Sequence, residues 1–141
     1  MTPFQSHVDS KLNDDHPEWS RFRELLTENG STVIRYMIPS PVNSDNILYF
    51  VVEPDGIITK FACHGSHEHY DPESDSLEEY DIAYRYAMDE FVNPVQDDRL
   101  VVVWYDDCGM LVPDAEQFVQ MNDIPNYAVE SWNNAKAKNA G

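Results

Sequence analysis

The chain has 141 residues, with 26 Asp and Glu against 9 Lys and Arg, a formal charge of −17 and a pI near 4.3. Its length predicts one domain, and 42% hydrophobic with 12% aromatic residues supply a core. Nine scattered cations argue against gripping nucleic acid or an anionic membrane directly, and the absence of a long apolar run or a secretory leader pattern leads us to expect a cytoplasmic protein.

Residues 1–14 are polar and aperiodic and read as a flexible N-terminal arm. A first helix is expected over residues 16–29. Asp15 and Glu18 offer a capping box, Pro17 suits the first turn, Trp19, Phe22, Leu25 and Leu26 share a face, and Asn29-Gly30 offers a left-handed stop. Strands are expected at 32–38, 47–52 and 57–63. The last two are joined by Glu53-Pro54-Asp55-Gly56, where Pro presets φ and Gly accepts a positive value.

Residues 65–75 read as a polar loop. Ser76, with Glu79 three residues on, opens a second helix carrying Leu77, Tyr80, Tyr84, Ala87 and Phe91 at helical spacing. Strands at 100–105 and 110–112 form a second hairpin around Asp106-Asp107-Cys108-Gly109. Asp114 with Gln117 starts a short third helix, residues 127–135 supply a turn or two around Trp132, and residues 136–141 read as a frayed tail. The expected fold is α+β: an antiparallel sheet of about five strands with helices packed on one face, in the order α-β-β-β-α-β-β-α, over a single globular domain at 15–135. An open doubly wound sheet is the second choice.

Cys63 and Cys108 each fall at an expected strand end or turn and read as small, half-buried, reduced side chains, with a mutual disulfide as the alternative. The stretch Cys63-His64-Gly65-Ser66-His67-Glu68-His69, followed by Asp71, is the nearest approach to a metal motif. His64, His67, His69 and Asp71 offer zinc ligands, but they sit in one loop with no second cluster to pair with, and solvated histidines titrating near pH 6.5 are the simpler reading. No cofactor is therefore favoured, zinc being the alternative. Phosphate-loop and dinucleotide signatures need clustered glycines, whereas the five here are isolated. No nucleophile elbow occurs, and acid pairs such as Asp97-Asp98 and Asp106-Asp107 arise by chance in so acidic a chain, so no catalytic residue is assigned.

The charge is regional. From Glu68 to Glu116 there are fifteen acids against only Arg85 and Arg99, which places 13 of the 17 excess negative charges in 49 residues. On the second helix Glu78, Asp81 and Asp89 follow one outward stripe beside Glu79, Tyr86 and Glu90; like charges one turn apart lower stability by a few tenths of a kcal/mol per pair, so the pattern invites a compensating use. A solubility surface is the bland reading. The functional reading is a surface for a basic partner, with Glu78, Asp81, Tyr86, Asp89, Glu90, Asp97, Asp98, Asp106 and Asp107 as contacts. The expected function is that of a small acidic inhibitor, an immunity protein or antitoxin that neutralises a nuclease toxin by covering its active-site region, rather than an enzyme. The alternatives are a phage nucleic-acid mimic that blocks restriction or defence, and a small metal-binding enzyme or sensor built on the histidines.

Overall fold

The computed structural model of the chain describes residues 1–62 and 67–134 and the backbone of 137–138. It begins with a helix, α1 (Pro3–Asp15), where the sequence suggested a flexible arm. The Thr2 hydroxyl accepts the Gln5 N–H at 3.2 Å while Gln5 Oε1 accepts the Thr2 N–H at 2.9 Å. This is a reciprocal capping box with proline at the first helical position. Phe4, Val8 and Leu12 recur every fourth residue and are buried, so a narrow stripe is enough to dock an otherwise polar helix. Gln5 is buried with them. Its amide donates to the carbonyls of Thr32 at 2.6 Å and Val52 at 3.1 Å and ties α1 to the strands beneath it.

The helix expected over 16–29 does not form. A 3-10 turn (Pro17–Phe22) leads instead into strand β1 (Arg23–Glu28). The Asp15–Glu18 box is absent because each side chain has another partner: Glu18 meets His16 at 3.2 Å, and Asp15 accepts the Tyr84 hydroxyl at 2.7 Å. Asn29 and Gly30 both have positive φ, 51° and 79°, and Glu28 faces Ser31 across them. The pair therefore closes a two-residue hairpin between β1 and β2 (Ser31–Pro39) instead of ending a helix.

Strands β3 (Ile47–Glu53) and β4 (Gly56–Phe61) form the expected hairpin, and β5 (Glu68–Tyr70), inside the expected loop, pairs with β4. The sheet order is β1-β2-β3-β4-β5, antiparallel throughout. Gly56 does not need a positive φ; a Cβ there would lie 1.9 Å from Asp71 Oδ1, so glycine makes room for the Asp71 carboxylate over the hairpin. Ile34, Tyr36, Leu48, Phe50, Val52, Ile57 and Phe61 line the inner face and pack with α1 and the second helix.

That second helix, α2 (Leu77–Ala87), starts as expected, with Ser76 Oγ accepting the Glu79 N–H at 3.2 Å. It continues through a π-helical turn (Met88–Val92) into one α-turn, α3 (Asn93–Gln96). Pro94 has no N–H to offer the Glu90 carbonyl, and the Asn93 N–H reaches back five residues to the Met88 carbonyl. The turn widens at Glu90 and Phe91 in consequence.

The second hairpin does not join the first sheet. Strands β6 (Val101–Tyr105), β7 (Cys108–Val112), β8 (Ala128–Glu130) and β9 (Ala137–Lys138) make a separate antiparallel sheet in the order β7-β6-β8-β9. Both of its faces are covered, which is why β6 reads as a continuous apolar run. Val102 enters the main core, while Val103 and Val112 meet Val119 of α4 (Ala115–Met121) in a smaller one. The turn is Asp106-Asp107, both at positive φ. Cys108 and Gly109, expected in the turn, belong to β7, where the Trp104 ring occupies the space a Gly109 Cβ would fill. Residues 128–130, expected in a helical turn, are strand, and residues 137–138 of the expected frayed tail pair with it.

Further contacts join the sheets. The rings of Phe61 and Trp132 meet at a tilt, 5.7 Å between centroids, Ser40 Oγ donates to the Trp132 carbonyl at 2.6 Å, and buried Glu130, which accepts from Trp104 Nε1 at 3.0 Å within its own sheet, also accepts from Asn43 Nδ2 at 3.2 Å. The fold is thus α+β with an antiparallel five-stranded sheet, as expected, plus a smaller second sheet; the antiparallel pairing leaves no doubly wound topology. Among the described residues no helix is long and apolar enough to cross a membrane.

Candidate functional site

The acidic side chains divide by what they touch. Asp9 accepts both Arg23 Nε and Nη2, at 2.9 and 2.8 Å, and the Tyr36 hydroxyl at 2.5 Å. Burial alone would raise its carboxyl, but these three hydrogen bonds outweigh that effect and hold it below the ordinary value. Asp81, expected on the outward stripe of α2, turns toward α1: His7 Nε2 lies 2.6 Å and Lys11 Nζ 3.8 Å from its Oδ1. The His7 hydrogen bond lowers its carboxyl as well. Asp98 sits at φ 59° after α3 and accepts the Asn133 N–H at 3.0 Å and Asn134 Nδ2 at 3.2 Å, so it fastens the end of the second sheet to the helix. Asp97 pairs with Arg99 at 3.2 Å on the surface.

The remaining site candidates stand in solvent. Glu78 in the first turn of α2, Tyr86 in its last, Asp89 and Glu90 in the π-helical turn, and Asp106 and Asp107 at the hairpin tip are all exposed. Among the described residues none of these five acids forms a salt bridge. Tyr86, 55% exposed, is the one large aromatic among them.

Glu90 also borders a cleft of about 430 Å³ at the junction of the two sheets. Phe61, Glu68 and Tyr70 come from the β4–β5 pair, Glu90 and Phe91 from the π-helical turn, and Leu100, Met110 and Leu111 from the second hairpin, with His67 at the margin. Glu68 faces Thr59 in the β4–β5 register and Tyr70 faces Ile57, which puts both on the inner side of the sheet. Tyr70 is half-buried there. Burial first, and then the Glu68 and Glu90 carboxylates, push its hydroxyl up to about 12, so it stays protonated at neutral pH. A space of this size with apolar walls and a few convergent polar groups is the usual form of a binding site.

The histidines are only partly brought together. The rings of His67 and His69 meet edge to face at 4.8 Å, Asp71 lies over Gly56, and Cys63 and His64 fall outside the described residues. Among the described residues no group of three or more His, Cys, Asp or Glu side chains could hold a metal ion. Cys108 is a free, exposed thiol at the start of β7, not the half-buried side chain expected.

The sequence reading picked out Glu90 for its charge, and it did not see the cleft. Its walls come from three segments, within 61–70, 90–91 and 100–111, that only tertiary packing brings together, and the only local signal was Pro94, four residues after Glu90 in a strong helical pattern. Neither protein-family profiles, nor curated proteins, nor solved structures give a match to the chain.

Proposed function

We propose that the chain is a small acidic binding protein that inhibits a basic partner, an immunity protein or antitoxin that neutralises a nuclease toxin by covering its active-site region. The observation that carries this reading is the group of exposed acids Glu78, Asp89, Glu90, Asp106 and Asp107, which form no salt bridge among the described residues, while Asp9, Asp81 and Asp97 are each held by a cation. Rigid like charges repel one another and weaken the fold slightly; a nuclease cleft built for phosphates offers the complementary charge. Tyr86 supplies an aromatic anchor within the same surface.

Asp81, Asp97 and Asp98 contribute less to such a surface than their sequence positions suggested, because each already has an intramolecular partner. The test is affinity capture with the intact chain at low and high salt, followed by nuclease assay of the captured protein with and without the chain. The expected partner is a basic nuclease whose activity is suppressed. Its association should slow steeply as the Debye length falls from about 10 Å at 0.1 M salt to about 3 Å at 1 M. Asp89→Lys with Glu90→Lys should slow association roughly tenfold or more at low salt. Capture of only neutral or acidic proteins, or rates unmoved by salt and by charge reversal, would overturn the proposal.

A further inference from the structure

We infer that the cleft between the sheets is an anchor pocket for a guanidinium-bearing side chain, an arginine presented by the basic partner. The inference rests on the reading of the chain as a binder of a basic protein and gives that reading a specific contact.

Its volume, about 430 Å³, lies within the range of small-ligand sites. The walls match the two ends of an arginine. Phe61, Phe91 and Leu111 offer apolar surface to the methylene stem. Glu68 and Glu90 border the cleft from different elements, one on β5 and one on the π-helical turn, and neither forms a salt bridge among the described residues. Tyr70 lines the same cleft between them.

Carboxylates are acceptors only, and guanidinium brings five N–H donors in a planar fork with no acceptor of its own. An anion is repelled by the two carboxylates, and an uncharged ligand leaves them without a counter-charge. A guanidinium on an apolar stem satisfies both.

The experiment titrates the intact chain with N-acetyl-arginine methylamide, followed by backbone amide NMR, with N-acetyl-citrulline methylamide as the uncharged near-isostere. Saturable shifts centred on Glu68, Tyr70, Glu90 and Leu111 are expected for the arginine probe, with roughly tenfold weaker binding of citrulline. Glu90→Gln and Glu68→Gln, both at exposed positions, should each weaken the arginine probe by roughly threefold to tenfold. Glu28→Gln, exposed on β1 at the opposite edge of the five-stranded sheet, should leave it unchanged. Equal binding of citrulline, or shifts that follow Glu28 instead of the cleft, would overturn the inference. If the probe fails while the chain still captures a basic nuclease in a salt-sensitive way, the pocket falls and the broader reading stands; if capture fails too, both fall.

Discussion

The acids packed between α1 and its neighbours and the acids around the cleft are the same residue types in opposite circumstances. Near α1, Asp9 holds Arg23 and Tyr36, Asp15 holds Tyr84, and Asp81 holds His7 and Lys11. Each negative charge there has been converted into a link between elements. Along α2 and its π-helical turn and at the tip of the second hairpin, Glu78, Asp89, Glu90, Asp106 and Asp107 form no salt bridge among the described residues. Counting carboxylates along the sequence treats the two sets alike, but only the second leaves charge available to a partner.

The sharpest way to break that contrast is to remove a linking acid. Glu130 is 3% exposed and accepts from Trp104 and Asn43, joining the second sheet to the β2–β3 connection. Glu130→Ala leaves both donors without this acceptor and opens a cavity, so stability should fall by about 2–4 kcal/mol. Urea unfolding measures it. A loss below about 0.5 kcal/mol would show that the carboxylate does not hold the sheets together.

Asp9 sharpens the contrast through pH. Its folded carboxyl lies below the unfolded value, so its stabilisation is complete above the unfolded value, near 3.9, and drains away as pH falls through the folded one. Asp9→Asn should therefore lower stability at pH 7 by about 1 kcal/mol, a figure kept small because the ion pair is partly exposed. The gap to the parent chain should close as the pH is lowered toward 2 in a denaturation series. A gap that stays constant with pH would remove the charge from the explanation.

The distinction explains which parts of the fold could be read in advance. The β3–β4 hairpin, α2 with its Ser76 cap and α4 with its Asp114 cap were legible because pattern, cap and turn agreed locally. The N-terminal third was not. Thr2-Pro3-Phe4-Gln5 and Asp15-His16-Pro17-Glu18 both resemble helix starts, but only the first is followed by apolar residues at 4, 8 and 12 that meet the core. Asn29-Gly30 serves equally as a helix stop and as a hairpin turn, and pairing with β2 decides between them. Exposure at the site failed to follow sequence for the same reason. Asp81 and Asp89 lie eight residues apart on a helix, yet α1 covers one side of it and claims only Asp81. The cleft was invisible because its walls meet only after the sheets do.

Neutralising the unlinked acids should have the smallest effect on the fold and a sign opposite to the others. Changing Glu78, Asp89, Glu90, Asp106 and Asp107 together to Gln or Asn removes five negative charges from a chain of −17 and breaks no salt bridge among the described residues. Repulsion between neighbours such as Asp89 and Glu90, or Asp106 and Asp107, is relieved by a few tenths of a kcal/mol at low salt. Asp106 and Asp107 become Asn at positive φ, a conformation Asn accepts as readily as Asp. Thermal unfolding at 10 mM salt should therefore shift upward by one or two degrees, roughly what such an energy gives in a chain of this length. The shift should disappear at 0.5 M salt, where the charges are screened. A fall in stability would mean that these acids make links of their own, and the division between linking and unlinked carboxylates would have to be redrawn.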